Sequence, residues 1–294
     1  MDTKQPAIKK ILVAVSGGVD SVVMLDWLAH NDEQELVVAH FDHAMRSDSA
    51  ADARFVEALA AQYGFNYFGQ RARGNLDSEA DARHARWEFL RQVKRQACAG
   101  KIATGHHQDD VLETMIFNCQ RGTNRRGLVT LRETTEILRP LLDWSKSQIY
   151  EYATTKGLEY VEDSTNTALN FARNRIRHQI MPHLGTKQQQ ELLSLRQKLT
   201  TISDRIDAEA GQLAEKLTDD TFIEIDRSSF RALPKPIQRE CLAHLLRRQS
   251  ISYGKETLVR VADAIEQSRS NSLTDVTGGW YIRHSAEISC LIAE

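Results

Sequence analysis

One segment near the amino end of this chain constrains its fold more than any other. Five apolar residues, Ile11–Val15, run directly into Ser16-Gly17-Gly18-Val19-Asp20-Ser21, and an apolar-periodic stretch follows. That order predicts a buried strand, a tight glycine turn and the start of a helix. Glycine permits positive φ and close approach of a ligand, and the free N–H groups of a helix N-terminus attract anions. The segment therefore predicts a phosphate-binding loop, with an ordinary turn capped by Asp or Ser as the alternative.

The loop differs from the two most familiar nucleotide-binding motifs. No Gly-Lys-Ser/Thr follows the glycines, so the segment is not a Walker loop. It also lacks the Gly-x-Gly-x-x-Gly spacing of a dinucleotide-binding turn. The segment thus favours a different class of phosphate site.

Strand-like and helix-like segments alternate through the first half of the chain. The expected strands are Ile11–Val15, Leu36–Phe41, Asn66–Phe68, Lys101–Thr104 and Ile137–Leu141. The expected helices are Ser21–His30, Ala50–Tyr63, Ser78–Ala97, Asp109–Gln120 and Lys146–Lys156. This alternation predicts an α/β fold with a Rossmann-like parallel sheet covered by helices. Ligands of such sheets bind beyond the carboxyl ends of the strands.

The second half has a different pattern. Residues from Lys187 to about Leu217 form a long polar stretch with a thin apolar stripe, which is typical of a linker helix. A small α+β module is expected beyond it, with a strand, two helices and a closing hairpin at Thr221–Ile225, Pro236–Arg248, Lys255–Gln267, and Gly278–Arg283 with Glu287–Ile292. We expect a catalytic domain over residues 1–185, a linker helix over 186–218 and a small α+β domain over 219–294.

Composition narrows the possible function classes. Hydrophobic content of 41% and charged content of 27% are ordinary for a globular protein. No apolar run approaches the ~18 residues of a membrane span, and the first residues lack a signal-peptide pattern, so we expect a cytoplasmic protein without a membrane partner. The four cysteines are far apart, which gives a zinc or iron–sulfur site little support. A net charge of −2 means that any nucleic-acid surface must be local.

Two polar segments follow predicted strands and would lie beside the phosphate loop. The first is His40-Phe-Asp-His-Ala-Met-Arg46, with nucleotide contact and a solvated loop as the two interpretations. The second is Thr104–Thr114, in which Asp110 and Glu113 are three residues apart on one helix face. Such carboxylates can hold an ammonium group or a magnesium ion. An acidic helix cap beside a core histidine is the alternative for this segment.

Three arginine-rich segments supply local positive charge. Residues 119–132 contain Arg121, Arg125, Arg126 and Arg132 and no acid, with Gly122 and Gly127 predicting a loop. The segment Phe171-Ala-Arg-Asn-Arg-Ile-Arg-His178 contributes a second patch, and Ala82–Leu90 contributes Arg83 and Arg86 one turn apart. Arginine suits bidentate phosphate contact. The alternatives are a solvated basic loop for residues 119–132, a basic helix stabilised by the preceding acids for residues 171–178, and core packing of Trp87 and Leu90 for the third segment.

These motifs together resemble those of the tRNA(Ile)-lysidine synthetases, a family of PP-loop ATP pyrophosphatases. The resemblance covers roughly residues 10–184 and follows the family's order of motifs, including Arg139-Pro-Leu-Leu142 and Glu162–Asn166. Ser-Gly-Gly-x-Asp-Ser alone indicates only the superfamily. The His-His-x-Asp-Asp-x-x-Glu-Thr segment at 106–114 and the Arg-Asn-Arg-Ile-Arg-His segment at 173–178 narrow it to this family. The chain departs from the family at Ser164, where proline is usual.

The resemblance implies a two-step ligase reaction. ATP, with Mg²⁺, adenylates C2 of the wobble cytidine (C34) in an isoleucine tRNA with a CAU anticodon, and pyrophosphate leaves. The side-chain amine of L-lysine then attacks C2 and expels AMP, which yields lysidine. The C-terminal module resembles the single small domain of the family's short members, which implies tRNA binding. The module is not basic, however, because residues 219–294 contain ten Lys and Arg residues and eleven Asp and Glu residues.

The resemblance also implies roles for individual residues. ATP would be bound by Ser16, Gly17, Gly18, Val19, Asp20, Ser21 and His40, with Asp20 also holding Mg²⁺. Catalytic roles fall on Asp20, His106, Asp110, Glu113 and Arg173, where His106 stabilises or protonates groups near the adenylate. Lysine would be bound by Asp110, Glu113, Arg175 and Arg177. The tRNA would be contacted by Arg86, Arg121, Arg125 and Arg126.

Other functions stay open at this point. The nearest is a PP-loop tRNA thiolase of the 2-thiocytidine synthetase type, which shares adenylation but delivers sulfur through clustered cysteines that this chain lacks. A nitrogen-transferring synthetase of the kind that makes GMP or NAD is a second. A non-catalytic nucleotide-sensing or RNA-binding module is a third alternative. The carboxylates of Asp20, Asp110 and Glu113 disfavour it, because a protein that only binds needs no such groups beside a phosphate site. The sequence leaves the oligomeric state open, with a homodimer as one option.

Overall fold

The structure is a computed structural model that describes residues 10–44, 49–72, 78–161, 175–217 and 223–293. Two compact units divide between Arg196 and Gln197. No helix in the described ranges is long and apolar enough to cross a membrane.

The first unit is built on a five-stranded parallel sheet. Its strands are β1 Lys10–Ala14, β2 Glu35–Asp42, β3 Asn66–Arg71, β4 Lys101–Thr104 and β5 Ile137–Leu138. Their spatial order is β3-β2-β1-β4-β5, and every pairing is parallel. From β1, the strands β2 and β3 are added on one side of the sheet, and β4 and β5 are added on the other side. The strand order therefore switches between β1 and β4, and ligands of such folds bind in the crevice at that switch point. The predicted α/β fold class is confirmed.

Helices connect the strands and bury the sheet. They are α1 Val19–Asn31, α2 Ser49–Gln62, α3 Glu79–Gln96, α4 Gln108–Gln120, α5 Arg125–Leu128 and α6 Lys146–Lys156. β1 and β2 are almost wholly buried, which explains their continuous apolar runs. One core cluster packs α1 and α6 on the sheet, and another packs α3 on it. All five predicted strands and all five predicted helices of this unit are present, with small shifts at their ends.

Three short elements of this unit differ from the prediction. The glycine-containing segment after α4 was expected to be a loop, but it contains the short helix α5, which begins because the Asn124 side chain accepts the N–H of Arg126 at 3.0 Å. Residues Ile176–Ile180 form a π-helical turn, and Met181–His183 form a 3₁₀ turn. Ile176 is buried in a small cluster with Leu112 of α4, which ties the π-helical turn to α4.

A long helix, α7 Thr186–Leu217, contains the division between the units. A helix is thus present where one was predicted, and its role as a linker and the domain boundaries 1–185, 186–218 and 219–294 stay predictions.

The second unit is α+β, as predicted. Its helices are α8 Arg227–Ala232, α9 Lys235–Arg248 and α10 Lys255–Gln267. Its antiparallel sheet has the order β6-β9-β8-β7, from β6 Glu224–Asp226, β7 Ser272–Thr277, β8 Trp280–His284 and β9 Ile288–Ala293. The predicted hairpin is β8 with β9, and β7 adds an edge strand that the sequence analysis missed. The expected strand at Thr221–Ile225 is β6 from Glu224 on, and its first residues lie outside the described ranges.

Candidate active site

The phosphate loop joins β1 to α1 and is organised by the hydroxyl of Ser21. Its Oγ accepts the backbone N–H groups of Ser16 at 3.1 Å and Gly17 at 3.2 Å, and it donates to the carbonyl of Gly18 at 2.8 Å. Gly17 has φ +97°, a value that a side chain would make strained. N–H groups that converge on one oxygen are suited to a phosphate oxygen.

The first turn of α1 is open to an approaching anion. Gly18 is the N-cap residue and has no side chain with which to cap the turn, and the Ser16 Oγ accepts its N–H at 3.4 Å. Gly105, just after β4, lies close to this turn, because a Cβ on it would be 3.2 Å from the backbone of Asp20. Glycine at 105 thus permits the close packing of β4 and α1 that joins the two halves of the site. Gly105 was not among the predicted site residues, and its place directly after a strand was the signal that the sequence contained.

Asp20 projects from the first turn of α1 and meets a lysine from a distant helix. Lys146, the first residue of α6, brings its Nζ to 2.5 Å from Asp20 Oδ1, and both side chains are 31% exposed. His107 Nε2 lies 3.7 Å from the same carboxylate oxygen. Asp20 therefore holds a cation at the mouth of the phosphate loop. Lys146 was missed because 126 residues separate the partners, and the sequence marked it only as a helix start.

His40 lies at the end of β2, on the other side of the loop. Its ring is buried, with 4% exposure, and its Nδ1 donates to the carbonyl of Val15 at 2.9 Å. Because Nδ1 is the donor, a neutral ring leaves Nε2 as an acceptor. That buried Nε2 has no hydrogen-bond partner among the described residues. His40 thus leaves a buried acceptor beside the loop, and its role in ATP binding stays a prediction.

The start of α4 arranges two acidic groups by capping. The Nδ1 of His107 accepts the backbone N–H of Asp109 at 3.3 Å, and Asp110 Oδ2 accepts the N–H of His107 at 3.0 Å, which completes a capping box. With Nδ1 as acceptor, the His107 proton is on Nε2, which faces Asp20 and Asp110 at 3.7 and 3.5 Å. The buried ring therefore lies between the phosphate loop and α4.

Asp110 and Glu113 share one face of α4 and a common partner, Arg177. The guanidinium donates to both carboxylate oxygens of Glu113, at 2.6 and 2.9 Å, and Nη2 lies 3.5 Å from Asp110 Oδ1. Burial raises the pKa of Glu113, and the hydrogen bonds from Arg177 oppose that rise. The two predicted lysine-binding acids thus already form a site for a cation. Arg177, which was expected to meet the carboxylate of lysine, is the cation that lies there.

His106 forms a compact network with Thr104 and Arg139. Arg139 Nη1 lies 2.7 Å from Thr104 Oγ1 and 3.0 Å from His106 Nδ1, and Thr104 Oγ1 is 3.0 Å from the same nitrogen. Burial lowers the pKa of His106 to about 4; Asp110 opposes this, and the positive charges of Arg139, Arg86 and Arg83 add to it. The ring is therefore neutral at physiological pH. The Arg139-Pro-Leu-Leu142 motif was noted in the sequence, but no role was assigned to Arg139.

The predicted tRNA-binding arginines divide into two places. Arg86, on α3, is half-buried, and its Nε has no hydrogen-bond partner within the described ranges. Burial and then Arg83 lower its pKa, so Arg86 lies in a region of excess positive charge. Arg121 is exposed at the end of α4, with its guanidinium over the Phe117 ring, and Arg125 and Arg126 are half-buried on α5.

The remaining predicted residues are placed only in part. Arg175 is exposed directly before the π-helical turn. Arg173, together with Glu162–Asn166, lies outside the described residues. In the described ranges, no group of three or more His, Cys, Asp or Glu side chains is arranged to hold a metal ion.

Comparison with known proteins agrees with this geometry. The PP-loop domain family (ATP_bind_3) matches residues 3–184, which include every predicted residue of the site. A tRNA(Ile)-lysidine synthase from Synechococcus sp. is 31% identical over 295 residues, which cover 94% of this chain and 90% of that protein. The chain belongs to the tRNA(Ile)-lysidine synthase family. A Nostoc sp. member is 29% identical, with 95% and 92% covered.

Several curated relatives from this lysidine synthase family are longer than the chain. The synthase from Persephonella marina is 35% identical over 222 residues, which cover 70% of this chain and 49% of that protein. The chain thus spans about half the length of several curated relatives that it matches.

A solved structure supports the fold of the first unit. The U34-tRNA thiolase NcsA from Methanococcus maripaludis, described with its [4Fe-4S] cluster, matches with a TM-score of 0.57 and 17% identity, covering 67% of this chain and 73% of that one. At this identity the likeness shows the fold alone.

Proposed function

We propose that this PP-loop enzyme is a tRNA(Ile)-lysidine synthetase, which uses ATP to adenylate C2 of cytidine 34 in a CAU anticodon and then joins L-lysine there. The observation that carries the proposal is the pair Asp110 and Glu113, which hold a cationic side chain beside the open phosphate loop. A nucleotide site next to a cation-binding carboxylate pair is what a reaction between adenylated RNA and an amino acid with an ammonium side chain requires.

The phosphate loop supports binding of ATP. Backbone N–H groups of Ser16 and Gly17 would hold phosphate oxygens in place of the Ser21 hydroxyl, and the N-terminus of α1 would favour the negative charge. The His40 Nε2 acceptor would take a hydrogen bond from the nucleoside, either from the amino group of adenine or from a ribose hydroxyl.

Asp20 fits a magnesium ion bound together with substrate phosphates. Magnesium is commonly held by one or two carboxylates plus phosphates and waters, so it needs no dedicated cluster of side chains. Asp20 is partly exposed, lies beside the loop and already pairs with a positive group, Lys146. The ion would neutralise charge as pyrophosphate leaves. Lys146, released from Asp20, would be free to contact the phosphate chain.

Asp110 and Glu113 would bind the ammonium groups of lysine. Arg177 already demonstrates that their oxygens can be shared by one planar cation. When lysine binds, Arg177 would leave these oxygens and become available for the lysine carboxylate, which is its predicted role, with Arg175 nearby in the chain. Arg173 keeps its proposed catalytic role on the resemblance alone. The attacking amine must be neutral, and its usual pKa of about 10.4 requires either a base or a desolvated pocket.

His106 is better suited to stabilising the adenylate than to protonating it. A ring with a pKa of about 4 carries no extra proton at pH 7, so it cannot serve as an acid of ordinary strength. It can still donate a hydrogen bond to developing negative charge.

Recognition of tRNA would rely on local positive charge. Arg86, Arg121, Arg125 and Arg126 are candidates for phosphate contacts around an unstacked cytidine. The small C-terminal unit would add tRNA contacts, and its charge balance means that these depend on shape and polar groups.

AMP formation tests the proposal. Purified protein with ATP should release AMP only when both CAU-anticodon isoleucine tRNA and L-lysine are present. Release that needs tRNA but ignores lysine would overturn the lysine step and favour a sulfur nucleophile. No turnover under any condition would favour a binding module.

A further inference from the structure

The contacts of His106 define which of its nitrogens carries the proton. Arg139 Nη1 lies 3.0 Å from His106 Nδ1. A guanidinium can only donate hydrogen bonds and keeps its charge in proteins. The nitrogen that faces it must therefore be the unprotonated acceptor, which places the single proton of the neutral ring on Nε2.

Thr104 reinforces the same arrangement. Its Oγ1 accepts from Arg139 Nη1 at 2.7 Å and lies 3.0 Å from His106 Nδ1, so its own hydroxyl proton can also be directed at that nitrogen. Thr104 and Arg139 are 6% and 7% exposed, which protects the network from competing water. Each donor near Nδ1 thus disfavours a proton there.

We propose that Arg139 is a positioning residue, which together with Thr104 holds His106 as the neutral Nε2–H tautomer, so that the ring offers one hydrogen-bond donor and no base. The relevance of this arrangement to catalysis rests on the proposed function, but the tautomer itself does not. In that role His106 stabilises negative charge on a reacting phosphate or on the modified base. It does not remove the proton from the lysine amine, which must be lost by another route.

The charges that face His106 agree with a ring that stays neutral. Arg139 approaches from the end of β5, Arg83 and Arg86 lie on α3, and Asp110 on α4 is the opposing acid. Three positive groups and one negative group disfavour the imidazolium form. Loss of Arg139 removes both one of these charges and the donor at Nδ1.

The experiment is nitrogen NMR of ¹⁵N-histidine-labelled protein without substrates. The His106 signals are assigned from their absence in His106→Gln. At pH 7 wild-type His106 should show a protonated Nε2 and an unprotonated Nδ1. In Arg139→Gln the Nδ1–H form should become substantially populated, and the His106 pKa should rise from about 4 but stay below 6.5, because burial is the largest cause of the shift and remains.

Two further variants separate positioning from a general structural effect. Arg139→Lys keeps the charge but loses the planar fork, so the His106 pKa should stay low while the tautomer preference weakens. Arg205→Gln, which changes an 82% exposed arginine, should leave both signals unchanged. An Nδ1–H tautomer or an imidazolium in the wild type would overturn the proposal, and that result does not depend on any Arg139 variant.

A tautomer and pKa that are unchanged in a folded Arg139→Gln would equally overturn it. The tautomer and the pKa are measured without turnover. The NMR result can therefore contradict the role of Arg139 while the AMP assay supports the proposed function, and the reverse is also possible.

Discussion

Replacement of Asp110 by asparagine separates lysine binding from the structural role of this residue. Asp110 Oδ2 accepts the N–H of His107 at 3.0 Å, and an asparagine oxygen can keep this capping hydrogen bond. The negative charge that faces Arg177, and in our proposal the lysine ammonium, is lost. Asp110→Asn should therefore fold normally and bind lysine more weakly.

The size of the effect follows from one charged hydrogen bond. Such a bond contributes about 1.5–3 kcal/mol. The KM for lysine should therefore rise about 10- to 150-fold. Glu113→Gln would be a less clear probe, because Arg177 would lose the partner that holds it at 2.6 and 2.9 Å.

The assay measures incorporation of radiolabelled lysine into tRNA against lysine concentration, with ATP and tRNA saturating. Tests without lysine measure tRNA-dependent exchange of pyrophosphate into ATP, which reports adenylation alone. The matched control is Asp109→Asn in the same helical turn, where the side chain is 37% exposed and the change should alter KM less than about threefold. An Asp110→Asn variant that slows pyrophosphate exchange as much as it slows lysine incorporation, with an unchanged KM for lysine, would refute this prediction, because the carboxylate would then serve nucleotide or metal.

Four other outcomes are expected. Lys146→Met removes the ammonium that competes for Asp20, so Mg²⁺ should bind the free protein up to about fivefold more tightly in calorimetry, and weaker binding would contradict this competition. The free energy of unfolding should fall by about 2–3 kcal/mol as the pH drops from about 6.5 to about 4, because His106 is protonated over this range in the unfolded chain but not in the folded protein. In urea unfolding, His106→Gln should lack this part of the pH dependence. Arg227 is 2% exposed and donates to the carbonyls of Ile265, Ser268 and Ser285. Arg227→Met should therefore lower the free energy of unfolding by about 3–5 kcal/mol in urea unfolding, and a decrease below about 1 kcal/mol would contradict these hydrogen bonds. Arg125→Ala with Arg126→Ala should weaken tRNA binding and reduce its salt slope by about 1–2, and equal affinity at several salt concentrations would remove α5 from the interface.

Much of the fold could be predicted because its signals are local. Continuous apolar runs marked β1 and β2, and the limits of α6 and α10 match the sequence pattern. β7 was missed because it is a polar edge strand with only Val276 buried and a bulge near Asp275. β5 is only two residues long, since Pro140 lacks the N–H that a longer strand would use.

The site could be predicted less completely, because the spacing of residues in the sequence shows only which side chains are neighbours within one helix or strand. The three-residue separation of Asp110 and Glu113 correctly placed them on one face of α4. It could not show that Arg177 would pair with them across 64 residues, or that Lys146 would reach Asp20. These contacts depend on the sheet order, in which β1 and β4 are neighbours.

The central claim is that lysine becomes bonded to the wobble cytidine. The most direct measurement is nucleoside mass analysis of CAU-anticodon isoleucine tRNA after incubation with the protein, ATP and isotopically labelled lysine. The expected product is a nucleoside at position 34 that has gained lysine with loss of one water, present only when ATP is added. An unmodified cytidine at position 34, or a nucleoside that has gained sulfur in place of oxygen, would contradict it.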